Sequence, residues 1–230
     1  MDNAGGASKT KIGLITIGQS PREDVTPALQ AVLGSSIQLI EKGALDGLER
    51  AEIERLAPKP GDYVLVTRLR DGTSVKVARR LIMPKIQACI KELEAVGVDF
   101  NVLLCTGEFP RLEARKPLIM LEQLITSFAC WVKGGKIGVV VPEKEQAAGA
   151  EKKWRKRGAS VVVVWANPYG DVKALNSAAV MLAKEKVDLI VLDCIGFTVK
   201  AWEIFRQLTG KPVLLPQFVL GYLLKSLSLM

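Results

Sequence analysis

The chain of 230 residues contains no histidine. Imidazole is the general base of Ser-His-Asp and Cys-His sites and a common zinc ligand, so its absence excludes these classes of site. Proton transfer in this protein would have to use Cys, Asp, Glu, Lys or Tyr side chains.

The cysteines are few and separated, and no Cys-x-x-Cys pair occurs. They are Cys89, Cys105, Cys130 and Cys194. This spacing argues against a disulfide scaffold, a zinc or other metal site and a dithiol redox motif. It suits a reducing compartment, so we expect a cytoplasmic protein.

No apolar run approaches the roughly 20 residues of a membrane span, and residues 1–10 have the composition of a flexible leader rather than of a signal peptide. We therefore expect no membrane partner. The net charge is +8, but the basic residues are mixed with Glu and are not interleaved with aromatics, so we expect no nucleic-acid partner. The basic run at 152–157 is interpreted as the solvated face of a helix. A small anionic metabolite suits the same charge.

Apolar runs and helical periodicities alternate along the chain, and 49% of its residues are hydrophobic. Lys11-Ile-Gly13 and Lys136-Ile-Gly138 open two β-α-β series, and the first series holds an extra segment around residues 42–80. This pattern predicts an α/β protein of two pseudo-symmetric, flavodoxin-like lobes with parallel sheets and an active-site cleft between them. We predict lobes at residues 11–117 and 118–230, with the C-terminal helix able to cross over to the first lobe.

Each series closes on an apolar strand that ends in a cysteine, Cys105 or Cys194. Open α/β sheets bind ligands at the carboxyl ends of their strands. A helix start after each thiol would lower its pKa and make it readily alkylated. Two facing thiols could then remove and return a proton on opposite faces of one carbon, which is racemisation without a cofactor. The competing interpretation of a single strand-end cysteine is a small buried hydrophobe, which is how we interpret Cys89 and Cys130.

Polar groups beside the strand ends are candidates for substrate binding. Arg22, which can hold a carboxylate through two hydrogen bonds, would act with Ser20 and Gln19 after the first strand, although Ser20-Pro21-Arg22 also reads as a plain turn and cap. The hydrogen-bond donors of the residues that follow the thiols would stabilise the enolate-like charge that develops on the substrate. They belong to Thr106, Gly107, Ile195 and Gly196.

Four segments carry a resemblance to a known family: Thr16-Ile-Gly-Gln-Ser-Pro-Arg-Glu-Asp24, Arg70-Asp-Gly72, Val77-Ala-Arg-Arg80 and Leu192-Asp-Cys-Ile-Gly-Phe197. With the paired cysteines, they resemble the AroM branch of the aspartate/glutamate/hydantoin racemase superfamily. The resemblance implies a two-lobed fold and cofactor-independent cysteine chemistry. The superfamily's Cys-Asn-Thr and Cys-Thr-His or Cys-Thr-Glu motifs are replaced here by Cys105-Thr-Gly-Glu108 and Cys194-Ile-Gly-Phe197, so the substrate is left open.

The sequence thus predicts a racemase or related isomerase acting on a small carboxylate-bearing carbon acid, with Cys105 and Cys194 as the acid–base pair. One alternative is a single-cysteine isomerase or decarboxylase, in which Cys194 is the main thiol. Another is an inactive protein that binds a metabolite or serves in regulation. Apolar residues in the C-terminal helix suggest a homodimer.

Overall fold

Two parallel β-sheets, each of four strands, form the framework of the described chain. The structure is a computed structural model, and it describes residues 9–35, 37–130 and 135–227, without the side chains of residues 128–130. The elements in chain order are β1 (Thr10–Thr16), α1 (Thr26–Leu33), β2 (Ile37–Gly43), α2 (Arg50–Glu54), β3 (Val64–Arg68), β4 (Ser74–Ala78), α3 (Arg79–Ala95), β5 (Phe100–Leu103), β6 (Leu118–Met120), α4 (Leu121–Cys130), β7 (Lys136–Val141), α5 (Ala147–Lys156), β8 (Ser160–Trp165), α6 (Val172–Ala183), β9 (Leu189–Leu192), α7 (Val199–Thr209), β10 (Val213–Leu214) and α8 (Pro216–Leu227).

The two sheets repeat one strand order. The first runs β2-β1-β5-β6 and the second runs β8-β7-β9-β10. Corresponding strands have the same connections, and the N–H of Leu104 donates to Ile15 O over 2.8 Å just as the N–H of Asp193 donates to Val140 O over 2.8 Å. The predicted α/β architecture of two pseudo-symmetric lobes is confirmed.

A glycine in each central strand lets a helix approach the sheet closely. A Cβ at Gly13 would lie 3.0 Å from Leu93 of α3, and a Cβ at Gly138 would lie 3.1 Å from Leu182 of α6. Such contacts are tighter than side chains tolerate, so only glycine fits without a shift. The Ile-Gly pairs that suggested a repeat therefore have the same packing role in both lobes.

One apolar core runs through both lobes. Its buried members come from the two sheets and from the helices between them: Leu14, Val102, Val139, Val191, Leu29, Ile125, Trp154 and Leu220. Helix α8 packs against α1 and α4, so the C-terminal helix does reach the first half of the chain. Its residues Leu220 and Leu224 are buried within the chain, whereas Tyr222 and Leu227 of the same helix are exposed. The homodimer stays a prediction.

The first lobe carries an insertion that the second lacks. Strands β3 and β4 pair in an antiparallel hairpin, and a turn through Asp71 and Gly72 closes it, with Gly72 at φ +91°. Several polar contacts tie the hairpin to the second lobe. Among them, Gln146 Nε2 donates to Val64 O over 3.2 Å, and Lys76 Nζ lies 3.1 Å from Glu143 Oε2. The insertion therefore spans the gap between the lobes.

Two local predictions differ from the structure: the sequence favours a helix over residues 23–33 with Pro21 just ahead of its start, and it indicates no strand at residues 118–120. Helix α1 begins at Thr26 with Pro27 in its first turn, so Pro21 lies in the preceding loop, where the Ser20–Pro21 peptide bond is cis. Strand β6 was not predicted. It pairs with β5 and so belongs to the first sheet, although it begins where we placed the start of the second lobe.

None of the helices in the described ranges is long and apolar enough to cross a membrane.

The shared core gives a stability prediction. Leu220 is 0% exposed between the lobes, whereas Leu208 on α7 is 44% exposed. We expect Leu220→Ala to lower the free energy of unfolding by about 2–5 kcal/mol, because it leaves a cavity. The control Leu208→Ala should change it by no more than about 0.5 kcal/mol. Urea titration followed by circular dichroism measures both, and equal losses would contradict the shared core.

Candidate active site

Both strand-end cysteines line a single cavity of about 420 Å³. The first lobe contributes residues 61–66 of the insertion, Arg79 and residues 105–107, and the second contributes residues 141–142, parts of 145–153 and residues 193–194. The cavity therefore lies between the lobes, at the carboxyl ends of β5, β7 and β9, where parallel sheets place their ligands.

The two thiols have matching backbone contacts. The N–H of Gly107 donates to Cys105 Sγ over 3.4 Å, and the N–H of Gly196 donates to Cys194 Sγ over 3.4 Å. Cys105 is half-buried and Cys194 is buried. The repeat thus places two equivalent thiols on one cavity, as the sequence predicted.

The expectation of lowered thiol pKa values is wrong. Residues 104–117 contain no helix, and the helix after Cys194 begins only at Val199. Burial raises the pKa of Cys105 to about 11, partly offset by the Gly107 hydrogen bond. Burial likewise raises the pKa of Cys194 to about 12. Both groups are therefore thiols, not thiolates, at neutral pH in the free protein.

A buried ion pair lies beside the thiols. Lys153 Nζ is 2.7 Å from Asp193 Oδ2, and the two side chains are 4% and 2% exposed. Trp154 Nε1 donates to the same carboxylate oxygen over 2.8 Å. Burial alone would lower the pKa of Lys153, but Asp193 outweighs that effect and raises it, so the ammonium stays charged. The interpretation of 152–157 as a solvated helix face is wrong for Lys153 and Trp154.

The same ammonium reaches the other lobe. Lys153 Nζ donates to Thr106 O over 2.9 Å, and Thr106 directly follows Cys105. Lys153 therefore binds the residue after one thiol and the residue before the other. It fixes both cysteine segments at once.

A second cation lines the cavity from the insertion side. The guanidinium carbon of Arg79 lies 4.1 Å from the centre of the Tyr63 ring, and its Nη1 donates to Glu108 O over 2.7 Å. Tyr63 Oη accepts from the N–H of Glu108. Burial raises the pKa of Tyr63, so its hydroxyl stays protonated and the ring remains neutral at neutral pH.

The predicted carboxylate clamp lies outside this cavity. Arg22 is 2% exposed, and its guanidinium is occupied by Asp24, at 2.7 and 2.8 Å, and by Thr16 Oγ1 at 2.9 Å. It also donates to Tyr169 Oη of the second lobe over 3.0 Å. Burial alone would lower the pKa of Arg22, but Asp24 more than compensates and raises it. Arg22 therefore ties the two lobes together.

The other predicted binding residues divide into two groups. Thr106 and Gly107 line the cavity with the thiols, and no other predicted binding residue does. Ser20 binds Asp46 through its N–H and hydroxyl, and Gln19 accepts from the N–H of Arg70 over 2.9 Å.

Ile195 and Gly196 belong to the support of Cys194. Ile195 is 4% exposed in the shared core, and Gly196 lies so close to Tyr169 that a Cβ would sit 2.1 Å from its hydroxyl. Cys89 packs in the core of the first lobe, as expected. The side chain of Cys130 lies outside the described residues.

Tyr63, Arg79 and Lys153 also line the cavity, although the sequence did not predict it. Lys153 could have been found from the apolar face of its helix, because Ala150 and Trp154 lie on the same side. For Tyr63 and Arg79 the signal is only their place at the ends of a hairpin. Within the described ranges, no group of three or more Cys, Asp or Glu side chains is arranged to hold a metal ion.

The chain matches the family model described as AroM protein over residues 12–228. No curated protein matches it. Three solved structures share its fold: allantoin racemase from Klebsiella pneumoniae (18% identity, TM-score 0.65, covering 95% of this chain and 87% of that one), glutamate racemase from Aquifex pyrophilus (17%, 0.60, 95% and 84%), and the maleate isomerase Iso from Pseudomonas putida S16 (14%, 0.61, 95% and 92%). At these identities the likeness shows a shared two-lobed fold.

The raised thiol pKa values predict late ionisation. In the folded protein, Cys105 and Cys194 should ionise only near pH 11 and 12, against about 8.5 in an unfolded chain. Their protonation therefore favours folding below about pH 8.5, and this contribution is lost as the pH rises through the folded values. Thiolate absorbance at 240 nm, taken as wild type minus a double Cys→Ala variant, should show no step below pH 9. A step there would contradict the assignment.

The buried ion pair gives a second test on stability. We expect Lys153→Met to cost about 3–5 kcal/mol of unfolding free energy, because it leaves the Asp193 carboxylate buried without a counter-ion. Lys152→Met makes the same change at an exposed neighbour and should cost no more than about 0.5 kcal/mol. Chemical denaturation compares the two variants, and similar losses would show that Asp193 does not depend on Lys153.

Proposed function

The chain belongs to the AroM family, and from that premise we propose that it is a cofactor-independent racemase or isomerase-like enzyme acting on a small carboxylate-bearing carbon acid. The observation that carries the proposal is the pair of equivalent thiols, Cys105 and Cys194, on one cavity between the lobes. The cavity also bears Arg79, a cation that has no carboxylate partner among the described residues, and this suits an anionic substrate.

In the proposed reaction, one cysteine thiolate removes the proton from the substrate carbon and becomes a thiol. The opposite thiol then donates its proton to the other face of that carbon and becomes a thiolate. The negative charge that develops on the substrate carboxylate is stabilised by hydrogen-bond donors of the cavity. Atoms and charge balance within each turnover, and the two thiols exchange roles.

A single-thiol reaction is the second candidate, and the raised pKa values support it. A protein whose thiols are both protonated at rest has a proton donor ready but must first lose a proton to gain a base. In a decarboxylation or isomerisation of this kind, a thiol protonates a carbanion that forms by another bond change. Cys194, the more deeply buried thiol, would be that donor.

We also propose a cytoplasmic location and a small anionic metabolite as the binding partner. The location is supported by the free thiols Cys89, Cys105 and Cys194, which a reducing compartment preserves.

The test is solvent isotope exchange. Incubated in D₂O with 2-hydroxy, 2-amino and dicarboxylic acids, the protein should place deuterium on the carbon next to the carboxylate of one of them, seen by proton NMR. Cys105→Ala and Cys194→Ala should each lower the exchange rate by at least about 100-fold, as expected when a general acid or base is lost. Cys89→Ala, in the core away from the cavity, should leave the rate unchanged.

The pH profile separates the two candidates. A two-thiol reaction requires one thiolate, so its rate should rise about tenfold for each pH unit between 7 and 9. A reaction that uses only a proton-donating thiol should keep a constant rate over that range. Binding of an anionic metabolite without exchange or any product would contradict both and indicate a binding protein.

A further inference from the structure

Arg79 is the one charged group in the described lining of the cavity without an oppositely charged partner. The three carboxylates there already have cations close by. Asp62 pairs with Arg80 at 2.7 Å, Glu145 with Lys76 at 3.2 Å, and Asp193 with Lys153 at 2.7 Å. No Asp or Glu side chain of the described chain lies within 4 Å of the Arg79 guanidinium, so Arg79 is a cation of the lining whose charge no neighbouring carboxylate offsets.

The guanidinium of Arg79 is held in place but not saturated. The Tyr63 ring lies against it at 4.1 Å, and only Glu108 O accepts a hydrogen bond from it among the described residues. A guanidinium has five N–H donors in a planar fork, and the fork matches the two oxygens of a carboxylate. Arg79 thus keeps N–H donors free for a ligand, whereas the paired N–H donors of Arg22 already bind the two carboxylate oxygens of Asp24.

Apolar residues form part of the lining beside its polar groups. Val64, Leu65 and Val66 form the insertion side of the cavity, and Val141 and Ala150 face them from the second lobe. Placing a further charge against these side chains would cost desolvation energy without a counter-ion to offset it. The lining therefore fits a ligand with one carboxylate and an uncharged, partly apolar body.

We propose that Arg79 binds the substrate carboxylate and that the substrate is a monocarboxylate without an ammonium group, such as a 2-substituted acid with an apolar side chain. This inference rests on the proposed function and narrows its substrate class. Dicarboxylates would bring a second negative charge, and amino acids would bring an ammonium whose possible partners in the lining are already paired.

Binding measurements on the full chain test the proposal. Isothermal titration calorimetry is run with mandelate, 2-phenylpropionate, malonate and L-aspartate at one ionic strength. We expect mandelate or 2-phenylpropionate to bind at least about tenfold more tightly than malonate and L-aspartate. Tighter binding of malonate or L-aspartate, or no binding by either monocarboxylate, would overturn the proposal.

Variants assign the contact to Arg79. Arg79→Gln should weaken binding of the monocarboxylate by at least about tenfold, because a charge-assisted hydrogen bond pair is lost. Arg79→Lys keeps the charge without the fork and should show a smaller loss, so it carries the test if Arg79→Gln fails to fold. Arg155→Gln removes a cation that pairs with Glu151 on the outer surface and should bind as wild type does. Unchanged binding in both Arg79 variants would exclude this role.

The binding measurements can be interpreted separately from the isotope-exchange test of catalysis. A Cys105→Ala/Cys194→Ala double variant should still bind the monocarboxylate, with the same dependence on Arg79. Binding that depends on Arg79 without isotope exchange would retain the carboxylate site and reject the proposed reaction. Isotope exchange on an amino acid, insensitive to Arg79→Gln, would retain the reaction and reject the carboxylate site.

Discussion

One ammonium group fixes the geometry on which the cavity depends. Lys153 Nζ binds Asp193, which precedes Cys194, and Thr106 O, which follows Cys105. Removing this ammonium from water is costly, and the cost is offset only because the carboxylate and a carbonyl oxygen both lie at hydrogen-bonding distance. Trp154 donates to the same carboxylate, so the carboxylate's orientation is fixed as well. The spacing of the two thiols across the lobes is therefore set by a contact that tolerates little change.

The duplicated fold gives the two thiols equivalent backbone positions, and the insertion gives them different surroundings. Strand ends, glycine N–H contacts and sheet order repeat between the lobes. The hairpin β3–β4 occurs only in the first lobe of the described chain, and it brings Leu65 so close to Gly107 that a Cβ there would lie 2.7 Å from it. It also brings Tyr63 and Arg79 to one side of the cavity. The site on this symmetric scaffold can therefore bind a substrate in one orientation, with its carboxylate at Arg79 and its reacting carbon between the two thiols.

Local patterns predicted the parts of the site that depend on local structure. The apolar runs before Cys105 and Cys194 were sufficient to place both thiols at strand ends, because burial of a parallel strand dictates such runs. The role of Arg22 could not be predicted this way, since its partner Tyr169 is distant in the chain. The burial of Lys153 could not be predicted from the sequence for a related reason. A lysine in a basic run is usually solvated, and only the position of Asp193 in three dimensions explains why this one is buried.

Exclusion of water from the cavity has two opposite electrostatic effects. Exclusion of water raises the pKa of each thiol, since a thiolate loses its hydration. The same exclusion strengthens the field of Arg79, whose charge no carboxylate of the described chain neutralises. Proton donation is thus the step for which the resting site is already prepared. Proton abstraction must start from a rare thiolate, and racemisation by this pair would be limited by that first ionisation.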